Sequence, residues 1–472
     1  MDQVLQSSEL LTLILDMIHQ NDKKLRARHK SSLVPLARVS SLWRDVAHPI
    51  LWAAPDVEAL AKIKSERRQQ YATHIRRLDF STLEARADPS LHTLFANLQF
   101  PKIKSLVLGH YGPISGVLDP GIFRPLPIHK DWSISTSQYF HETLEDLSLL
   151  SWDSICTRSF FVHLAERCPH LKSVEFSAIG TQLLPDDLLD YFRASSHLES
   201  IQLRLGPEPN SALITGDLLL HFSGLTKLKY LLIDNELSRP EFFWAIKKQN
   251  INPFHCLKRV DLKATSTVMS AAAHVLPNVE YLDLILLNDH GSGLQSLSVM
   301  KSLRRLFIRV TRSTTLTPDV LLALQALHRL EVVCVERWVR ETSIEAPNFT
   351  DSDFDRMLSG LGELREIVFE VDWKPKSFSV LSSLSKHCPN LEDLQLYGTF
   401  DLQALGDIPT VMFPRLRNLD LMQREIDQVP VRLTPMQVAR LIDYHAPMLE
   451  DLYLSDESDE RSITAAWSKF RA

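Results

Sequence analysis

Along most of the chain a short apolar unit of the form L-x-x-L-x-L returns. A chain that repeats one small unit has only the neighbouring copies against which to bury it. Examples are Leu171-Lys-Ser-Val174-Glu-Phe176, Leu198-Glu-Ser-Ile201-Gln-Leu203, Leu391-Glu-Asp-Leu394-Gln-Leu396 and Leu449-Glu-Asp-Leu452-Tyr-Leu454. Fourteen such units begin at Ile75, Ile103, Leu144, Leu171, Leu198, Leu228, Leu257, Val279, Leu303, Leu330, Leu364, Leu391, Leu416 and Leu449, with separations from 22 to 41 residues. The number alone decides little, because three apolar slots filled by about a third of all residues would match on the order of fifteen times by chance.

Two features decide it. In all fourteen units the residue after the first apolar position is Lys, Arg or Glu, although charged residues make up only 23% of the chain. In six, a proline stands two residues before that position: Pro101, Pro169, Pro277, Pro389, Pro414 and Pro447. Proline cannot continue a helix and turns the residue before it toward extended geometry, so it stops a helix and starts a strand. Amphipathic segments precede it, as in Phe160 to Arg167 before Cys168-Pro169 and Phe378 to Lys386 before Cys388-Pro389. Each unit therefore reads as a helix or loop, a turn and a short strand, repeated at about 27 residues, which is the period of leucine-rich repeats. The competing arrangement, one compact α/β domain, would need a Gly-rich ligand loop at a switch point, and the chain supplies none.

Alternate side chains of a strand face opposite ways, so the second, fourth and sixth residues after each first Leu line the open, concave face. The middle units place Arg259, Asp261, Lys263, Tyr281, Asp283, Arg305, Phe307 and Arg309 there, and later ones Glu336, Glu366, Glu370, Asp393, Gln395, Tyr397, Asp420, Asp451 and Tyr453. A basic-aromatic patch precedes an acidic-aromatic one. That face is either a bipolar groove for a target protein of complementary charge or a solvated sheet surface.

The first fifty residues are different in kind. Leu10, Leu11, Ile14, Leu15 and Ile18 fall on one face of a helix that Ser7 or Ser8 caps. A basic stretch, His19 to Ser32, follows as a solvated loop or an import patch. A second helical segment runs from Leu33 to about Trp52, with Leu36, Val39, Trp43 and Val46 at spacings of three and four and Pro49 breaking it near the end.

Glu9-Leu10-Leu11-x-x-Ile14-Leu15-x-x-Ile18, then Leu36-Ala37-Arg38-Val39-Ser40-Ser41-Leu42-Trp43-Arg44-Asp45-Val46-Ala47, then Leu51-Trp52, resembles an F-box, and the array resembles the irregular leucine-rich repeats that follow many F-boxes. Departures are Gln6-Ser7-Ser8 where the family has Leu-Pro, the long basic loop, and Leu287, Gly206 and Thr265 where Asn or Cys usually follows a repeat strand. The resemblance implies an α/β chain: a three-helix F-box (residues 1–53), a linker helix (54–74), a leucine-rich-repeat horseshoe (75–456) and an acidic tail (457–472). It also implies docking onto a Skp-type adaptor of a cullin–RING ubiquitin ligase through Leu10, Leu11, Ile14, Leu15, Leu36, Val39, Trp43, Val46, Leu51 and Trp52. The alternative is that these helices merely cap a leucine-rich-repeat scaffold acting outside ubiquitination.

Composition excludes other classes. Only 14 of 472 residues are Gly, less than half the usual ~7%, and neither GxxxxGK[ST] nor GxGxxG occurs, so no phosphate-cradling loop is expected. Lys plus Arg number 52 against 58 Asp plus Glu, a net charge of −6, so no basic field attracts nucleic acid. Cys156, Cys168, Cys256, Cys334 and Cys388 show no zinc spacing and read as reduced thiols. GxSxG and HExxH are both missing, and no enzyme, cofactor or metal is expected. Asp2 and the lack of a basic segment before the first apolar stretch predict no secretory signal, no 18-residue apolar run predicts a membrane span, and the expected location is the cytoplasm or nucleus. Asn348-Phe349-Thr350 is then a chance glycosylation match, and His290-Gly291-Ser292-Gly293 reads as a turn. The segment from Gly109 to Ile128, with four glycines and four prolines, is a binding loop or a disordered excursion. Ser455 to Glu460 is an acidic stretch, solvated or phosphate-accepting.

Overall fold

The computed structural model describes residues 7–24, 32–81, 90–109, 136–150, 157–177, 183–205, 210–287, 291–339, 341–373, 378–398, 400, 402–422, 433–454 and 460–471. The whole excursion after Gly109, Ser455 to Asp459, Gly206, His290, Cys156 and much of the basic stretch lie outside the described residues. Two compact units divide the chain, residues 1–213 and 214–472.

The first unit opens with three helices, α1 (Ser8–Lys24), α2 (Leu33–Leu36) and α3 (Ser41–Leu51). The expected single helix from Leu33 is thus two. Ser40 is fully extended, and its hydroxyl accepts from the Trp43 amide at 3.2 Å, which ends one helix and caps the next. Pro49 stays inside α3 instead of breaking it, and the helix runs two residues further, to Leu51. Leu11, Leu15, Leu33, Ala47 and Ile50 form the buried centre, and Ile18, Leu36, Leu42, Trp43, Val46 and Leu51 pack around it. Short helices at Val57–Ala61 and Ser65–Ala72 follow. Five strands then run parallel and pair in chain order: β1 (Arg77–Asp79), β2 (Ser105–Gly109), β3 (Asp146–Leu150), β4 (Ser173–Ser177) and β5 (Ser200–Arg204).

The second unit contains β6 (Tyr230–Leu237), β7 (Arg259–Ala264), β8 (Tyr281–Leu286), β9 (Arg305–Val310), β10 (Thr314–Thr315), β11 (Val332–Arg337), β12 (Ile344–Glu345), β13 (Glu366–Phe369), β14 (Asp393–Tyr397), β15 (Asn418–Met422) and β16 (Asp451–Leu454). Nine of these form a parallel sheet in chain order, and β10 pairs with β12 beside it. Every one of the fourteen sequence units places a strand two residues after its first apolar position, five in the first unit and nine in the second.

The prolines act as expected. The helices Arg158–Arg167, Ser379–His387 and Pro435–His445 end immediately before Cys168-Pro169, Cys388-Pro389 and Ala446-Pro447. After several strands, threonine closes the turn into the next helix. Thr157, Thr215, Thr265, Thr350 and Thr434 cap the next helices, each hydroxyl accepting a backbone N–H three residues on at 3.2 to 3.4 Å. The ladder also runs past the strand ends, where the Leu287 amide donates to the Ala264 carbonyl and the Trp338 amide to the Val310 carbonyl.

The charged residue of each unit has a clear reason. Within each compact unit of the chain its carbonyl accepts two amides from the next repeat, as when Arg304 and Arg305 both donate to the Glu280 carbonyl at 2.8 and 3.0 Å. Its side chain stays on the leading edge of the sheet, beside the corresponding side chain of the next unit. There opposite signs mostly meet, Arg76 beside Lys104 and Lys229 beside Lys258 being the like-charged neighbours: Glu145 bridges Lys104 (2.5 Å) and Lys172 (2.6 Å), Lys258 meets Glu280 (2.7 Å), Arg304 meets Glu331 (2.7 Å), and Arg365–Glu392 and Arg417–Glu450 follow. The hydrogen bonds from Lys104 and Lys172 hold the Glu145 carboxyl at about 2. These pairs are exposed and screened by solvent, so each contributes little to stability.

Candidate functional site

The N-terminal helices are the first candidate surface. Helical spacing turns Leu11 and Leu15 inward, where both are fully buried, and turns Leu10, Leu13 and Met17 outward on the opposite side of α1, 44%, 61% and 67% exposed. Val34 and Val39 are likewise exposed, and Ile14, Leu36, Trp43, Val46, Leu51 and Trp52 are partly buried. Of the ten residues expected to meet an adaptor, only Leu10 and Val39 are therefore largely open, whereas Leu13, Met17 and Val34 are open and were not among them. The signal for them was in the sequence: Leu13 and Met17 continue from Leu10 at i+3 and i+7. A groove of about 620 Å³ beside this surface is lined by residues including Val34, Ala37, Arg38, Arg44, Leu51 and Trp52.

This helical piece is joined to the array by the same device that joins repeat to repeat. The Ala53 carbonyl accepts from the Arg76 and Arg77 amides at 2.7 and 2.9 Å, the double acceptance that recurs along the repeats, as at Arg76 and Lys104. The Trp52 ring lies 4.5 Å from that of Tyr71 in the helix that leads to β1.

The open face of the second unit's sheet is the other candidate. Strand register brings its expected residues into rows: Arg259, Tyr281 and Arg305 are cross-strand partners, as are Asp261, Asp283 and Phe307, then Glu366 and Asp393. Most cations here are already engaged. Arg259 holds Asp261 with two hydrogen bonds, 2.9 and 3.1 Å, and lies between the rings of Tyr230 and Tyr281 at 4.8 and 4.2 Å. Arg309 reaches Asp283 at 2.6 Å and Glu336 at 2.8 Å, over Phe307 and Trp338. Arg337 holds Glu370 at 2.9 Å over Tyr397, and Lys263 meets Glu236 at 3.3 Å. Tyr281 stacks on Phe307 at 5.2 Å.

The carboxylates farther along differ. Burial, with Asp393 beside it, raises the Glu366 carboxyl, and burial, with Glu370 nearby, pushes Asp420 up to about 6. One Asp420 carboxylate oxygen, Oδ1, is shut off from solvent with no hydrogen-bond partner. Asp393 accepts from the Asn418 side-chain amide, Asp451 is exposed, and Tyr453 is 60% exposed.

Among the described residues no three His, Cys, Asp or Glu side chains are grouped to hold a metal ion. Cys168, Cys334 and Cys388 are buried, and burial pushes the Cys168 and Cys388 thiols up to about 12, far from thiolate chemistry. No described helix is long and apolar enough to cross a membrane.

One strand per unit, parallel neighbours in chain order and a helical return define a leucine-rich-repeat fold. No protein-family model matches the sequence, and no curated protein matches it. Among solved structures, the chain is similar to one in the Rad7 and Elc1 complex of yeast, at 13% identity over 92% of this chain and 96% of that one, with a TM-score of 0.39. It is also similar to a leucine-rich-repeat protein of Leptospira interrogans, at 13% identity over 85% and 91%, with a TM-score of 0.40.

Proposed function

We propose that this chain is a substrate-recognition subunit of an SCF-type (Skp–cullin–F-box) ubiquitin ligase, docking to the adaptor by its N-terminal helices and holding a target protein on the repeats. The observation that carries the reading is the second apolar face of α1. A small helical piece with its own core on one side leaves Leu10, Leu13 and Met17 open on the other, and such a face gains most by covering itself with a partner. The chain makes and breaks no bonds in this role; it contributes proximity between target and ubiquitin-conjugating enzyme.

The Ala53 carbonyl clamp favours a second reading, in which the same helices cap β1 of a leucine-rich-repeat scaffold that works outside ubiquitination. Co-purification of the full chain with a Skp-type adaptor separates the two. Wild type is expected to retain the adaptor, and Leu13→Glu with Met17→Glu to lose at least tenfold of it with an unchanged melting curve. If wild type retains none, the ligase reading falls and the scaffold reading stands.

A further inference from the structure

The open face of the sheet is not electrically uniform. From β7 to β11, Arg259, Lys263, Arg309 and Arg337 each meet a carboxylate within 3.3 Å. From β13 to β16, Glu366, Asp393, Asp420 and Asp451 form no ion pair with a Lys or Arg among the described residues, and register places them within three strand spacings, roughly 14 Å. Arg305, whose charge reaches Glu366, lies two strands away.

The acidic half is therefore a surface under tension. Glu366 and Asp393 face each other across one strand pair, and like charges directly opposite destabilise a sheet. The occluded Asp420 Oδ1 has a lone-pair direction that nothing in the described chain satisfies. Tyr453 stands exposed in the same row as Asp420, its register partner, and supplies an aromatic face on which an aliphatic stem or a cation can lie. A cation delivered to this row would relieve the repulsion between its carboxylates.

We infer that the open face of β13–β16 is a docking surface for an extended protein segment carrying two or more Lys or Arg side chains. Its cations would sit over the Glu366–Asp393 pair and between Asp420 and Asp451, with one stem against Tyr453. The half from β7 to β11, where most cations are spent on neighbouring carboxylates, would supply mainly shape and aromatic surface beside it. This deepens, and rests on, the reading of the open face as the place where a target binds; it does not depend on the adaptor.

The probes are labelled peptides of about ten residues, long enough to cross the patch, one alternating Arg and Ser and one alternating Glu and Ser, titrated by fluorescence anisotropy against the full chain. The Arg peptide is expected to bind at least tenfold tighter than the Glu peptide. The combined variant Glu366→Gln, Asp393→Asn, Asp420→Asn and Asp451→Asn is expected to weaken it at least tenfold. A second variant, Glu166→Gln, Asp190→Asn, Glu241→Gln and Asp319→Asn, removes the same charge from exposed helical positions and is expected to change binding less than twofold. Equal weakening by both variants would reduce the effect to net charge and overturn the proposal, as would a face variant that binds like wild type or a wild type that does not prefer the Arg peptide. Adaptor retention measured on the same preparations keeps the two readings apart. A chain that retains adaptor without binding the peptide loses only this inference, and one that binds the peptide without adaptor loses only the ligase reading.

Discussion

Arg309 tests whether the basic part of the open face is a structural tie. Its guanidinium joins β8, β9 and β11 through Asp283 and Glu336, and the three side chains are 23%, 13% and 32% exposed. Arg309→Met keeps most of the stem that lies over Phe307 and Trp338 but deletes the charge. Removing one partner of a buried ion pair costs ~3–5 kcal/mol; with this much residual exposure, water recovers part, and about 2–3 kcal/mol is expected. For a unit of this size that is a fall in melting temperature of about 4–10 °C. The sign with pH follows from Asp283, whose carboxyl burial raises and Arg309 partly restores. Without Arg309 it rises further. The deficit of the variant is then full above that raised pKa and shrinks as pH falls and Asp283 takes up a proton. Thermal melts of both proteins at pH 8 and pH 5 decide it. A loss under about 1 °C at pH 8, or a deficit equal at the two pH values, would refute the tie.

Two further outcomes are expected. A Cβ on Gly360 would stand 1.9 Å from the Gln325 backbone carbonyl oxygen of the preceding repeat, so Gly360→Ala must push two repeats apart and should cost about 1–3 kcal/mol, read as a lowered urea midpoint. Asp420→Asn should stabilise by on the order of 1–2 kcal/mol at pH 8, after discount for the solvent that reaches the other oxygen, and by almost nothing at pH 4. The native carboxyl, raised to about 6, costs stability only as pH rises from its unfolded value through that range; equal effects of the substitution at pH 4 and pH 8 would refute this sign.

Much of this was legible before any coordinates. The fourteen strands could be read because each carries period-two apolar positions, a charged residue before them and often a proline earlier, three signals of local physics. The break at Ser40 was hidden, since a serine among helical spacings looks like a surface residue until its extended backbone shows it as a cap. The pair β10 and β12 is two residues long on each side and leaves no period to read. The open face was legible as a set of residues but not as a circuit. Arg309 is 26 residues from Asp283 and 27 from Glu336, and only the register of three strands reveals that its charge is spent internally while that of Asp420 is not.

The leading edge of the sheet carries one more consequence. From Lys258 to Glu450 the edge charges run plus, minus, plus, minus through eight successive repeats. Such a series has a parity. Losing one repeat from this stretch would set like beside like at the splice, whereas losing two would restore the match, as would gaining two. Edge pairs are individually weak, yet each mismatch also brings together backbones that share one carbonyl between two amides. Between those two residues the array is one that can be lengthened or shortened in even steps, so that the number of repeats itself is written into a line of alternating surface charges.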